Sequence, residues 1–216
     1  MEFEENILLV DKPKGITSFD VIRVLRKKMG KKKMGHAGTL DPLASGLMII
    51  GIDKGTKRLT EFLKLPKTYI ADILLGKKTD TGDLEGKVIE EKAVGEISEE
   101  KIKEELEKFI GKHSLAVPMY SAIKVGGQPL YKRARKNDDS VAPPIKEMEV
   151  TDAKLLDIQK TDGKVVLKVE MGVTSGTYIR TLGEEFGRRL GYPATLSDLR
   201  RTTIGKYKVE DAMSLD

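Results

Sequence analysis

The sequence predicts an α+β fold around an antiparallel or mixed sheet, and three observations carry that reading. Apolar residues alternate at Tyr69, Ala71, Ile73 and Leu75, and again at Val165, Leu167, Val169 and Met171, the period of a strand with one buried face. Other stretches repeat apolar residues at helical spacing, among them Val21, Ile22, Leu25 and Met29. The strands are joined by hairpin signals such as Thr161-Asp162-Gly163, and regular strand–helix alternation is absent from the pattern.

Asn6 to Val10 reads as a short buried strand and Asp11-Lys12-Pro13-Lys14-Gly15 as a turn. Thr17 or Ser18 then caps a helix that Gly30 closes. A short hydroxyl side chain satisfies the first helical amides, and glycine accepts the left-handed conformation past the last turn. Met34 to Gly46 is a Gly-rich segment carrying a proline, Leu47 to Ile52 an apolar strand, and Arg58 to Leu63 a short helix. The first alternating strand starts at Thr68, Lys77 to Gly86 is a polar loop, and another strand lies near Lys87 to Glu91. Ser98 caps a helix with Ile102, Leu106, Phe109 and Ile110 inward and Gly111 at its end. Met119 to Asn137 is irregular. Beyond Pro143-Pro144 a hairpin pairs Glu147 to Gln159 with Lys164 to Val173. A last helix runs from about Tyr178 to Leu190, burying Ile179, Leu182, Phe186 and Leu190, and Arg200-Arg201 falls in a later loop.

With 39% apolar residues and 21 glycines in 216, the chain can bury one sizeable core. Its longest apolar runs, such as Leu47 to Ile50, fall far short of the roughly 20 residues a membrane helix needs, and its first residues are acidic where a signal peptide is basic. A soluble, cytoplasmic protein with no membrane association is expected. There is no cysteine, and the histidines are His36 and His113, which excludes a disulfide framework, a thiolate nucleophile and a Cys/His zinc site. Lys and Arg number 39 against 34 Asp and Glu, a net charge of +5. The excess is local: seven of the eleven positions from Arg23 to Lys33 are basic and none is acidic, a patch suited to a polyanion.

Phosphate-loop spacing fails at Gly51 to Lys57 and at Gly76 to Thr79, which disfavours nucleotide-cofactor chemistry. Chemistry points instead to Gly35 to Gly46. Asp41 is the carboxylate of that segment, set among small residues that let a polymer backbone approach, and Pro42 restricts it to extended conformations. An ordinary turn would use the same Asp-Pro pair. The second candidate is Gly176-Thr177-Tyr178-Ile179-Arg180 at a helix start, with Arg200-Arg201 beyond it. Guanidinium groups and helix N-termini favour phosphate or carboxylate, and a solvated surface charge would look alike in sequence. Tyr69, Tyr120 and Tyr131 lie among Lys67, Lys124, Lys132 and Arg133, an interleaving that suits base stacking with phosphate contact and also half-buried strand aromatics.

Taken together, these segments resemble the TruB-type family of tRNA pseudouridine synthases. The resemblance runs, in the family's order, through Leu9-Val10-Asp11-Lys12-Pro13-Lys14-Gly15-Ile16-Thr17-Ser18, His36 to Gly46, Lys67-Thr68-Tyr69, Leu75 to Gly86 with Thr79-Asp80-Thr81-Gly82-Asp83, Pro118 to Lys124, Leu130-Tyr131, Ala134-Arg135, Thr174 to Leu182 and Leu199 to Gly205. Each motif is short; their ordered conjunction is specific. It implies a pseudouridine-synthase fold, a mixed and mostly antiparallel sheet flanked by helices with a catalytic cleft across its centre. It also implies isomerisation of uridine 55 in the tRNA T-arm, with no cofactor and no metal.

The resemblance assigns roles to individual residues. Asp41 is the catalytic aspartate that initiates cleavage of the N-glycosidic bond of a flipped-out uridine, Arg180 pairs with it, and Tyr69 stacks on the uracil. The substrate-binding set is His36, Tyr178, Leu199, Asp83 and Lys12: His36 enters the T-loop, Tyr178 and Leu199 line the pocket, Asp83 belongs to a substrate-facing loop, and Lys12 with Pro13 supports the catalytic loop. Such an enzyme binds tRNA as a monomer without an obligatory protein partner. Residues 1–216 read as one catalytic domain, without the small C-terminal PUA-like RNA-binding domain usual in the family. The sequence departs from the family at Leu115 and Val117, at Val173, and at Gly183, where alanine is common. The chemistry fits these roles, since a carboxylate nucleophile must stay ionised beside a cation and a stacked base must be extruded to be reached. Two competing readings are a catalytically silent RNA-binding module and a synthase acting on another RNA with protein partners. The joint presence of Asp41, Tyr69 and Arg180 argues against the first, and the missing C-terminal extension against the second.

Overall fold

A computed structural model of the chain describes residues 6–30, 33–136, 138, 140–161 and 163–215. Apolar β1 (Ile7–Lys12) leads to α1 (Ser18–Met29). Thr17 caps α1 through a reciprocal pair: its hydroxyl accepts from the Asp20 N–H at 3.1 Å, and the Asp20 carboxylate accepts from the Thr17 N–H at 2.8 Å. Gly30 closes the helix at φ 62°. Val21, Ile22 and Leu25 are buried as their spacing predicts, whereas Met29 is exposed. Next come β2 (Met34–His36) and β3 (Ser45–Ile52), a 3-10 turn over Asp53–Arg58, and α2 (Leu59–Leu63). The alternating strand is β4 (Lys67–Leu75), followed by β5 (Lys77–Thr79), β6 (Val88–Glu91) and α3 (Glu99–Lys108), which Ser98 caps. Then follow β7 (Gly111–Ala116), β8 (Lys124–Val125), β9 (Gln128–Pro129), α4 (Leu130–Ala134), β10 (Ile145–Thr161) and β11 (Lys164–Val173). The chain ends through α5 (Ile179–Leu190), β12 (Ala194–Ile204) and β13 (Tyr207–Lys208).

The largest sheet has the order β1-β3-β12-β4-β11-β10-β7, with β2 beside β3 and β13 beside β12, while β5-β6 and β8-β9 form separate ribbons. It is mixed and mostly antiparallel: β1 and β2 run antiparallel to β3, and β7 to β10, whereas β12 runs parallel to β3. The fold class read from the alternation therefore holds.

Two compact units divide the chain, and β4, β11 and β12 contribute residues to each. The first comprises Met1–Ile70, Glu170–Ser175 and Asp198–Asp216, and its core gathers Ile7, Leu9, Leu47, Ile49, Phe62 and Tyr207. The second comprises Ala71–Val169 and Gly176–Ser197; there Val117, Leu130 and Met148 pack together, and Phe109 meets Phe186 edge-on at 5.3 Å. A Cβ at Gly183 would lie 3.1 Å from the Leu196 side chain, so α5 packs closely at this point.

Four expectations are corrected. Gly111 does not end the third helix: α3 stops at Lys108, and Gly111 opens β7, which pairs with β10 from Ile145↔Ala116 to Val150↔Gly111 and leaves Ile110 exposed. The polar loop after Gly76 begins with β5, held by β6. The irregular stretch contains the β8-β9 hairpin and α4. Arg200-Arg201 lies in strand β12 instead of a loop. Lys31, Lys32, Asn137 and Asp162 lie outside the described residues.

Candidate active site

In the first unit, Asp41 sits half-buried on the loop between β2 and β3, and main-chain atoms fix that loop on both sides of it. The Ser18 hydroxyl accepts from the Leu40 N–H at 2.8 Å and lies 3.0 Å from the Leu40 carbonyl oxygen. The Gly15 N–H donates to the Pro42 carbonyl at 2.8 Å, and the Ala44 N–H to that of Asp41 at 3.1 Å. Lys12, fully buried at the end of β1, donates to the carbonyls of Pro13 and Ile16 at 2.9 and 2.7 Å and so shapes the turn that reaches Pro42.

Strand β12 runs beside the loop's exit, with Arg200↔Ser45 and Arg201↔Gly46 in register. Gly46 is required there: its φ is 108°, and a Cβ would fall 2.2 Å from the Arg201 carbonyl oxygen. Arg200 grips Asp11 with two hydrogen bonds of 3.1 and 2.7 Å, and Lys14 meets Asp198 at 2.6 Å, so both ends of the Asp11–Gly15 turn are tied to β12. Leu199, the residue before this pair, is buried, as is Tyr69 on β4. The Thr202 hydroxyl donates to the Thr68 carbonyl at 3.2 Å, which fixes Tyr69's strand against β12. Lys12, His36, Asp41, Tyr69 and Leu199 all fall in the first unit.

His36 ends β2, and its imidazole is held below the ordinary 6.5 by burial first and the Arg201 charge second. It is neutral at pH 7. Lys67, buried at the start of β4, donates to the carbonyls of Leu63 and Leu65 at 2.6 and 2.7 Å, completing the end of α2. Burial and then Arg201 pull its ammonium down to about 8.

The second unit gathers Asp83, Tyr178 and Arg180. Tyr178 precedes α5, with the Lys146 ammonium 6.0 Å from its ring centroid. Arg180 is 7% exposed and donates to the carbonyls of Thr81 and Tyr120 at 2.7 and 2.8 Å, with a carboxylate oxygen of Asp83 at 3.9 Å. Asp83, expected on a substrate-facing loop, is 4% exposed, and its carboxylate turns into its own loop, accepting from the Thr81 hydroxyl at 2.7 Å and the Glu85 N–H at 3.1 Å. A cavity of about 730 Å³ opens beside Arg180, lined among others by Thr81, Pro118, Met119, Thr181 and Glu184. Burial raises the Glu184 carboxyl against the opposing pull of Lys78, 3.5 Å away.

The basic stretch is partly committed to the fold. Arg23 pairs with Asp20, Arg26 reaches the Met34 carbonyl at 3.4 Å, and the Lys28 ammonium donates to that of Leu215 at 2.6 Å, which leaves Lys27 and Lys33 turned to solvent. Among the described residues, no group of three His, Asp or Glu side chains could hold a metal ion, and no helix is long and apolar enough to cross a membrane. Sequence reasoning missed Ser18 as a loop clamp, reading it only as a possible helix cap, and missed Arg201 as a buried group.

The family described as TruB family pseudouridylate synthase, N-terminal domain, matches residues 26–179. The tRNA pseudouridine synthase B of Fusobacterium nucleatum is 45% identical over 206 residues, covering 95% of this chain and 70% of that protein. The protein of the same name from Endomicrobium trichonymphae is 43% identical over 209 residues, 97% of this chain and 89% of that one. Among solved structures, a chain of an H/ACA RNP bound to a substrate RNA containing 2′-deoxyuridine is 26% identical with a TM-score of 0.71, covering 97% of this chain and 50% of that one. A chain of a Cbf5-Nop10-Gar1 complex is 28% identical with a TM-score of 0.73, covering 97% and 52%. This chain therefore spans about half the length of those two.

Proposed function

The chain belongs to the TruB family of pseudouridylate synthases, and from that premise we propose that it converts a uridine of tRNA to pseudouridine. The target is uridine 55 of the T-arm, extruded from its stack so that the base reaches the catalytic loop. The N1–C1′ bond breaks, a C5–C1′ bond forms, C5 loses a proton and N1 carries one, so no atom or electron is exchanged with a cofactor. Asp41 initiates the cleavage through its carboxylate, Tyr69 stacks on the uracil, and Arg180 supplies the catalytic cation. His36, Tyr178, Leu199 and Lys12 bind or frame the substrate, and Asp83 serves by holding its own loop. The enzyme works in the cytoplasm as a monomer, without a protein partner.

The observation that carries this reading is the build of the Asp41 loop. The Asp41 carboxylate stands on a segment of small residues whose main chain is bonded at Leu40, Pro42 and Ala44, the preorganisation a nucleophile needs. The likeness to an RNP chain favours, as a second reading, a synthase acting on another RNA; the 45% identity to a tRNA enzyme against 26% to that chain puts tRNA first. The test is incubation with an unmodified tRNA transcript and mapping of pseudouridine by chemical derivatisation. A single new pseudouridine at position 55 is expected, and none in a transcript carrying cytidine there. Modification of ribosomal RNA with tRNA left untouched would overturn the reading.

A further inference from the structure

Arg201 is the largest fully buried side chain of the described residues, at 1% exposure. Its donors go to main-chain carbonyls: Nε to Leu47 at 2.7 Å and an Nη to Gly38 at 3.2 Å. Among the described residues no carboxylate forms an ion pair with it. A buried cation without a counter-charge is costly, and nothing in hydrophobic packing requires a guanidinium at this place. The two carbonyls it joins are the informative feature. Gly38 precedes Asp41 and Leu47 follows it, so one rigid side chain ties the entry and the exit of the loop that carries the carboxylate.

We propose that Arg201 is a positioning residue for Asp41: its guanidinium staples the two ends of the β2–β3 loop and so sets where the Asp41 carboxylate is held. The inference rests on the reading of Asp41 as the residue that initiates catalysis. Main-chain geometry supports the staple independently. At Gly46 the backbones of β3 and β12 approach so closely that a Cβ would strike the Arg201 carbonyl, and at Gly38 a Cβ would lie 3.4 Å from an Arg201 Nη. The arginine is thus fixed through its backbone at one end of the loop and through its fork at both. Ser18 on Leu40 and Gly15 on Pro42 complete the set, and none of these bonds uses the Asp41 side chain. A lysine in this place carries the charge but has a single nitrogen, which does not reproduce a planar fork spanning two carbonyls. The guanidinium also leaves an electrostatic mark on the same region, since it makes both His36 and Lys67 harder to protonate.

The experiment compares Arg201→Lys, Arg201→Gln and Asp41→Asn in the full chain. Readouts are turnover of a tRNA transcript, tRNA affinity, melting temperature and the NMR titration of the His36 ring. Arg201→Gln removes a buried charge and is the variant expected to fold if Arg201→Lys does not. A displaced carboxylate lowers kcat by about a hundredfold with affinity nearly unchanged. That split is the expected result in each folded Arg201 variant. The His36 titration should move up in Arg201→Gln and stay in place in Arg201→Lys. Parental kcat in either folded variant overturns the proposal, as does a loss confined to affinity, an unmoved His36 titration in Arg201→Gln, or failure of both variants to fold, which would make the residue purely structural. Asp41→Asn separates the two levels: turnover in that variant sinks the nucleophile itself, whereas a dead Asp41→Asn beside a fully active Arg201→Gln sinks only the staple.

Discussion

Arg201 in the first unit and Arg180 in the second are both nearly sealed from solvent, and both donate to two main-chain carbonyls, yet their surroundings differ in one respect. Arg201 reaches the carbonyls of Gly38 and Leu47 with no acid among the described residues paired to it, while Arg180 joins those of Thr81 and Tyr120 and has the buried Asp83 carboxylate at 3.9 Å. A guanidinium among carbonyls alone acts through the geometry of its fork, and a neutral group of similar reach leaves no charge stranded. One facing a buried acid also carries a charge balance, and its removal exposes the cost of the partner. The two units therefore answer the same kind of substitution differently.

The largest effect is expected where charge balance is broken. Arg180→Met should abolish most turnover and destabilise the protein by about 4 kcal/mol, because Asp83 is left buried without its cation. Calorimetry checks this, and the double variant with Asp83→Asn should recover part of the loss. A single variant that melts with the parent would show that Asp83 is satisfied by its loop alone. Next in size is Gly46→Ala in the first unit. The left-handed backbone and the contact with the Arg201 carbonyl should cost about 3 kcal/mol, read as a shift of the urea midpoint. An unshifted midpoint would mean that β3 and β12 separate easily.

The smallest effects are those of pH. Folded His36 binds its proton less readily than in the unfolded chain, whose value is the ordinary 6.5, so the unfolded state holds more protons below that pH. Its contribution to stability is complete above 6.5 and is lost as pH falls through 6.5 toward the folded value. Lys67 follows the same sign higher up: with about 8 folded against 10.5 unfolded, stability rises with pH between those values. Melting temperatures across pH 5 to 10 check both windows, and the acid slope should be shallower in His36→Gln. A slope of equal size in that variant would place the acid sensitivity elsewhere.

Capping at Thr17 and Gly30 and the alternation in β4 and β11 are local signals, and each was readable because one short stretch decides it. The Asp41 segment was likewise visible as a carboxylate among small residues. Strand β12 was not. Its sequence, ATLSDLRRTTI, interrupts any apolar period with Asp198, Arg200 and Arg201, and Arg201 is inside because carbonyls from residues 154 and 163 positions away receive it. The edge strand β7 was hidden for a related reason. Gly111, Lys112 and Ser114 carry no strand pattern, and pairing with β10 imposes one. The resemblance puts Asp83 in a substrate-facing loop, and nothing local in the sequence shows that this loop takes up the carboxylate. Burial of charged residues by distant main chain is what single-sequence patterns do not encode.

In the proposed reaction the carboxylate of Asp41 starts the isomerisation. Its most direct test is a single-turnover reaction of Asp41→Asn, in excess over an unmodified tRNA transcript, with pseudouridine at position 55 quantified beside tRNA affinity and melting temperature. The amide keeps the side chain's shape but not its anionic charge, so the predicted result is no detectable pseudouridine with binding and melting close to the parent. Pseudouridine formed at position 55 by the folded variant would show that the reaction does not need the Asp41 carboxylate.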